Sequence, residues 1–149
     1  MELLLGSHVR EHGNRVGQLA GFELERTTHR IRCLIFSADG DLGPSAAACL
    51  LSAVSLVHDD GEIELHPYSD VKATLPAAPD VVLLSRATRL RVQRRDAGRL
   101  AGVECDAADR RITSVFARHH WWSRRVVLPA GELDGSTPGE LQIASPRAA

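Results

Sequence analysis

The feature that most constrains the fold of this chain is an internal repeat. Shifting the sequence against itself by 81 positions places residues 17–36 over residues 98–117. Seven of these twenty positions are then identical, where about one or two matches are expected by chance. The identical pairs are Gly17 with Gly98, Leu19 with Leu100, Ala20 with Ala101, Gly21 with Gly102, Glu23 with Glu104, Arg30 with Arg111 and Ile31 with Ile112. After a short gap, LLSAV at 50–54 aligns with LPAGE at 128–132, and GEIEL at 61–65 lies near GELQI at 139–143.

The repeat divides the 149 residues into two copies of one unit. The first unit covers residues 1–66, a linker covers residues 67–80, and the second unit covers residues 81–146. The linker contains Pro67, Pro76 and Pro79, which interrupt regular structure. Each unit is small for independent stability, so we expect the two units to pack together.

Short strands dominate the predicted secondary structure of each unit. In VGQLAGFEL, an alternating pattern places Ala20, Phe22 and Leu24 on one face and Leu19, Gly21 and Glu23 on the other. This period of two predicts a half-buried strand. IRCLIF and ITSVFA follow as second strands, after the turn segments ERTTHR and DAADRR. The sequence therefore predicts an all-β fold of two small antiparallel β-barrels in tandem, packed together.

The spacing of glycines and apolar residues in both copies resembles the PRC-barrel domain family. The resemblance covers about nine tenths of the chain as a tandem pair and rests on LLLGSHVREHGNRVGQLAGFELERTTHRIRCLIF in the first copy and LLSRATRLRVQRRDAGRLAGVECDAADRRITSVFARHHWWSRRVVLPAGEL in the second. It implies small β-barrels that serve as interaction modules for protein partners, RNA–protein assemblies or a membrane-bound complex. The family has no shared catalytic residues to carry over, so the resemblance implies no enzyme activity.

Composition and cysteine usage set the expected location. The chain is 44% hydrophobic and 25% charged, which is typical of globular domains. It contains no run of about 18 apolar residues, and the apolar run in MELLLGSHVREHG is too short for a signal peptide. We therefore expect a cytoplasmic protein without a transmembrane segment. Cys33, Cys49 and Cys105 have no CxxC spacing and are predicted to be reduced thiols in the core.

The charge is distributed unevenly between the two halves. Residues 1–74 carry six Lys or Arg against eleven Asp or Glu, a net −5, whereas residues 75–149 carry twelve against eight, a net +4. The acidic half of one chain is therefore expected to attract the basic half of another, which predicts a salt-sensitive homo-oligomer.

The segment ARHHWWSRR, residues 117–125, is the candidate partner-binding site. It concentrates cationic and aromatic side chains in a chain with only 4% aromatic residues. The candidate residues are Arg118, His119, His120, Trp121, Trp122, Arg124 and Arg125. In the repeat alignment this segment lies opposite SADGDLGPSAAAC, at the connection after the third strand. Two interpretations stay open: an exposed contact loop, or tryptophans that pack over the seam between the barrels.

Catalytic and metal-binding patterns are absent from the sequence. His119 and His120 are adjacent and point to opposite faces of an extended chain, so they cannot easily hold one ion. There is no GxSxG elbow, and Glu23 and Glu104 are predicted to be solvated strand ends. The glycine pair Gly17 and Gly21 indicates strand twist or close strand packing instead of a phosphate loop. We expect no enzyme activity, no metal and no cofactor.

These observations favour a non-enzymatic module that binds or scaffolds another protein. The alternative is an RNA- or ribosome-associated factor, because the second copy also carries an arginine-rich stretch. The arginines of that stretch are Arg86, Arg89, Arg91, Arg94, Arg95 and Arg99. The acidic first half would oppose a long polyanion, so we rank RNA below a protein partner.

Overall fold

The computed structural model of the chain describes residues 1–44, 46–67, 80–120, 122–130, 133–137 and 139–143. Within these ranges the regular structure consists of fourteen strands and one short 3₁₀ turn, Leu51–Ala53. The all-β prediction is therefore confirmed. None of the helical structure in these ranges is long and apolar enough to cross a membrane.

The strands follow one another in the same order in both halves. The first eight are β1 (Glu2–Leu4), β2 (His8–Glu11), β3 (Asn14–Glu25), β4 (Ile31–Ser37), β5 (Ala47–Leu50), β6 (Val54–Val57), β7 (Ile63–Leu65) and β8 (Val81–Ser85). The remaining six are β9 (Arg89–Val92), β10 (Arg95–Cys105), β11 (Ile112–Arg118), β12 (Val126–Pro129), β13 (Leu133–Thr137) and β14 (Glu140–Ile143). The predicted strands IRCLIF and ITSVFA correspond to β4 and β11, which confirms them.

Two seven-stranded sheets pack together. The first sheet has the order β5-β4-β3-β2-β7-β6, with β8 also paired to β3, and the second has the order β12-β11-β10-β9-β14-β13, with β1 also paired to β10. All pairs are antiparallel except β2 with β7 and β9 with β14. A single hydrophobic core joins both sheets and includes Leu3, Phe22, Leu34, Val103 and Leu141.

The two halves exchange their first strands. β1 begins the first half but pairs with β10 of the second sheet, where Leu3 lies opposite Val103. β8 begins the second half but pairs with β3 of the first sheet, where Leu84 lies opposite Phe22. Neither sheet is therefore built from one continuous part of the sequence.

Residues that are 81 positions apart hold equivalent places. Arg30 and Arg111 pair with each other in an antiparallel bridge. On one side of it the Ile31 N–H donates to the Arg110 carbonyl at 3.0 Å, and on the other the Ile112 N–H donates to the His29 carbonyl at 3.2 Å. The two halves are thus arranged about an approximate twofold axis at this bridge.

The hairpin turns before the long strands β3 and β10 are also equivalent. His12 and Gly13 in one half, and Gln93 and Arg94 in the other, have positive φ angles of 54°, 75°, 51° and 65°. Two successive positive φ values are the signature of the two-residue type I′ turn that suits the twist of a β-hairpin. Only one of these four residues is glycine, so the other three accept a less favourable backbone conformation.

Three details differ from the sequence prediction. Within the described residues no sheet closes into a barrel, because the end strands β5 and β6, and likewise β12 and β13, do not pair. β3 is not half-buried: Leu19 and Glu23 are 0% and 2% exposed although they lie on the face opposite Ala20, Phe22 and Leu24. β8 pairs along the second edge of β3, and Leu19 belongs to the core that both sheets share. The strand pairing also shifts the repeat alignment of β5 with β12 by one residue. Leu50 pairs with Cys33, and Pro129 pairs with the equivalent residue Ser114, so Leu50 corresponds to Pro129 and not to Leu128.

The three cysteines lie in the core as predicted. Cys33, Cys49 and Cys105 are buried and form no disulfide with one another. Burial raises the pKa of the Cys49 thiol to about 12 and that of Cys105 to about 11. Both thiols therefore keep their protons at neutral pH, which disfavours nucleophilic chemistry at these positions.

Candidate functional site

The cationic loop of the candidate site joins β11 to β12 and is closed by a short turn. The Ser123 N–H and Oγ both donate to the His120 carbonyl, at 3.0 and 2.7 Å. The His120 N–H donates in return to Ser123 Oγ at 3.1 Å. These bonds fix the loop at its tip, so its side chains project from a defined backbone. The loop thus follows the predicted strand ITSVFA, which is the fourth strand of the second half because β8 precedes β9 and β10.

Trp122 forms an exposed aromatic platform on this loop. Its side chain is 68% exposed. The rings of Trp122 and His120 are stacked with centroids 4.6 Å apart and planes inclined by 4°. For Trp122 the structure therefore supports an exposed contact loop over packing at a seam. Trp121 lies outside the described residues.

Arg125 is held against the sheet at the other end of the loop. Its guanidinium carbon lies 4.6 Å from the centroid of the Phe116 ring. Phe116 is buried on β11, so this cation–π contact ties the arginine to a rigid element. The contact leaves the guanidinium N–H groups available to a ligand, because stacking uses only the face of the group.

An open groove of about 980 Å³ runs beside the loop, and we call it the Arg–Trp groove. Its walls come from the turn after β1 and the start of β2, the turn between β6 and β7, the turn after β8, the strands β10 and β11, and the loop itself. The lining residues are Leu4, Leu5, Gly6, Ser7, His8, Asp60, Glu62, Arg86, Arg99, Leu100, Ala101, Arg118, His119, His120, Trp122 and Arg125. The strand exchange creates this groove, because pairing of β1 with β10 brings the turn at Leu5 to Ser7 against the loop of the other half.

Arg86 enters the groove from the turn that follows β8. Its guanidinium lies over Gly6, where an added Cβ would approach Arg86 Nη2 to 2.9 Å. The same atom lies 3.2 Å from a Cβ built on Gly40. Gly6 therefore leaves the space that this side chain occupies, and its φ of +88° is one that glycine adopts without strain.

The electrostatics of the groove are mainly positive. Four arginines line it, against the two carboxylates Asp60 and Glu62. Glu62 is compensated by Arg10, whose Nε lies 3.0 Å from Glu62 Oε1. Asp60 accepts a hydrogen bond from the Glu62 N–H at 2.9 Å. The net field therefore favours an anionic ligand, with a carboxylate rim on one side.

Most of the predicted site residues come together. Arg118, His119, His120, Trp122 and Arg125 all line the Arg–Trp groove, whereas Arg124 is exposed beside it. The sequence prediction missed the Leu4–His8 segment as part of the site. It counted Arg86 and Arg99 as part of an arginine stretch without placing them in the site. No local pattern indicates that these segments meet, since their contact depends on the strand exchange.

A second polar cluster lies inside the first sheet. Glu23 is 2% exposed, with Oε1 3.2 Å from Arg32 Nε. Burial raises the pKa of the Glu23 carboxyl, although Arg32 and a hydrogen bond with Cys33 act in the opposite direction. The prediction of a solvated strand end is wrong for Glu23, which is buried at a position where β4 and β8 flank β3 on both sides. Glu104, at the equivalent position, is half-buried.

No group of three or more His, Cys, Asp or Glu side chains in the described part of the chain is arranged to hold a metal ion. Comparison of the sequence with models of known protein families finds no match, and comparison with curated proteins finds none either.

Proposed function

We propose that the protein is a non-enzymatic binding or scaffold module that takes an acidic segment of a partner protein into the Arg–Trp groove. One observation carries this proposal: Arg86, Arg99, Arg118 and Arg125 converge from separate elements around the exposed Trp122. Arginine recognises carboxylates through paired hydrogen bonds, and tryptophan supplies a large apolar contact. Both residue types are enriched where proteins bind each other.

The two related halves support a scaffold role. They resemble PRC-barrel modules, which act as contact units in larger assemblies, and in our proposal this chain is a tandem pair of such units. We also propose a cytoplasmic location, where the buried thiols of Cys33, Cys49 and Cys105 stay reduced.

A pull-down with the full chain tests the groove. Tagged protein is incubated with a nuclease-treated lysate, and the captured proteins are quantified by mass spectrometry. Arg99→Glu and Trp122→Ala should each lose the partner, with binding at least about tenfold weaker for the charge reversal, since hydrogen bonds to charged groups contribute ~1.5–3 kcal/mol. Arg95→Glu is the matched control, because Arg95 is an exposed arginine on the same strand outside the groove. Equal capture by all four proteins would refute the groove as the contact.

Single-stranded RNA is the second candidate ligand. The stacked rings of His120 and Trp122 offer a surface on which a base can stack, beside arginines that can contact phosphates. Fluorescence anisotropy with a labelled oligouridylate tests this candidate. RNA binding predicts affinity that falls steeply as salt rises and that weakens in Trp122→Ala. An oligouridylate that stays unbound at low salt excludes this candidate.

A further inference from the structure

We infer that two copies of this chain join edge to edge, with β6 of one copy pairing antiparallel to β12 of another. Within the described residues, β6 and β12 are each paired on one side only, to β7 and to β11. An unpaired edge offers free backbone N–H and C=O groups to a further strand. In our proposal, the β6 edge of one copy binds the β12 edge of a second copy.

Both edges expose apolar side chains. Leu56 on β6 is 50% exposed, and Val126 and Val127 on β12 are 50% and 55% exposed. The strand equivalent to β12 in the first half is β5, where Ala48, the counterpart of Val127, is only 3% exposed. β12 is therefore open to a partner at a position where β5 is covered.

At the centre of each edge, one residue directs its backbone N–H and C=O groups outward, where a second strand can pair with them. The Ala130 N–H donates to the Thr113 carbonyl of the neighbouring segment at 3.1 Å, so alternation turns the N–H and C=O of Val127 away from β11. The His58 N–H donates to the Glu62 carbonyl at 2.8 Å, so the same alternation turns those of Val57 away from β7. Val57 and Val127 can therefore exchange two backbone hydrogen bonds.

Charge complementarity fixes the direction of pairing. β6 is followed by Asp59 and Asp60, and β12 is preceded by Arg124 and Arg125. Antiparallel pairing of Val57 with Val127 places the two aspartates beside the two arginines, whereas parallel pairing separates them. Each edge also has one feature that interrupts regular strand pairing, the bulge between Val54 and Leu56 on β6 and Pro129 on β12. Antiparallel pairing places these two features opposite each other. The remaining part of each edge is free to pair.

The contact joins two different surfaces, so a joined pair keeps one free edge of each kind, β12 on one copy and β6 on the other. Such a heterologous contact produces open chains unless the geometry closes a ring. The exposed charge pairs are screened by salt, so association should be roughly tenfold weaker at 0.5 M than at 0.02 M salt.

Sedimentation velocity of the full chain over a range of concentrations tests the inference. Val127→Pro removes the outward N–H of β12, and Val57→Pro removes that of β6, without removing a hydrogen bond within either sheet. Each proline variant alone should stay monomeric, and an equal mixture of the two should form dimers and nothing larger. Val127→Thr and Val57→Thr are the matched controls and should assemble like the wild type. Circular dichroism confirms that each variant is folded.

Several results would overturn the inference: a wild type that is monomeric at low salt, proline variants that still assemble, or a mixture that stays monomeric. A charge exchange provides a test without proline. The double variants Asp59→Arg with Asp60→Arg, and Arg124→Asp with Arg125→Asp, should each be monomeric alone and should associate when mixed at low salt. Association of either double variant alone would also contradict the proposed pairing.

Discussion

Glu23 shows how a single side chain responds to the strand exchange. It lies opposite Cys33 on β4 and opposite Leu83 on β8, so strands flank it on both sides. Its contact with Arg32 does not compensate for burial, because the pKa of the carboxyl is raised above its ordinary value of 4.5. The folded protein therefore holds the Glu23 proton more tightly than the unfolded chain does.

The pH dependence of stability follows from this raised pKa. The stabilisation by protonated Glu23 is fully present below pH 4.5 and is lost as the pH rises through the pKa of the folded state. Glu23→Gln, which mimics the protonated form, should therefore gain stability relative to wild type between pH 4 and pH 8. Urea unfolding at both pH values measures this gain. Glu104→Gln, at the equivalent but only half-buried position, is the control. An equal effect of both substitutions would contradict the role of burial.

The long strands β3 and β10 carry a glycine where the exchanged strand crosses. A Cβ added to Gly102 would lie 2.5 Å from the Leu3 carbonyl oxygen, and a Cβ on Gly21 would lie 2.5 Å from that of Leu84. Backbone atoms of a paired strand cannot move away without breaking the pairing. The glycine spacing thus permits close strand packing, as the sequence predicted.

Substitution of Gly102 tests the contact between β1 and β10. Gly102→Ala should lower the free energy of unfolding by about 1–3 kcal/mol, because an oversized group in a packed site forces backbone shifts. Gly43→Ala is the matched control, since in the described part of the chain no atom beyond its two chain neighbours lies within 4 Å of a Cβ at that position. Guanidinium unfolding of the two variants and the wild type gives the comparison. If Gly102→Ala lowers the free energy of unfolding no more than Gly43→Ala does, β1 does not pack closely against β10.

The sequence predicted the strands but not which half each first strand joins. Leu3 and Leu84 are both apolar and occupy equivalent positions, so either one satisfies the pattern opposite Phe22 or Val103. Periodicity reports which faces are apolar, whereas partner choice depends on chain path. The same limit applies to the candidate site. Composition indicates Trp122 and its neighbours, whereas Arg86 and the Leu4–His8 segment join them only through the strand exchange.

At the scale of the whole molecule, the exchange makes each sheet depend on both halves of the chain. β1 and β8 each carry a fully buried leucine, Leu3 and Leu84, into the sheet of the other half. The core is continuous between the sheets, so neither sheet can lose its packing while the other remains intact. The Arg–Trp groove, which uses parts of both halves, is lost in the same step.

A core substitution in one sheet should therefore destabilise both. Leu34→Ala truncates a side chain that is 1% exposed on β4 and should cost about 2–5 kcal/mol. Native-state hydrogen exchange, followed separately for peptides of β3 and β4 and of β10 and β11, should show the same loss of protection in both sheets. Leu50→Ala, on the same sheet but 50% exposed, should change neither appreciably. Loss of protection confined to β3 and β4 would mean that the two sheets unfold independently, which would contradict the dependence of each sheet on both halves.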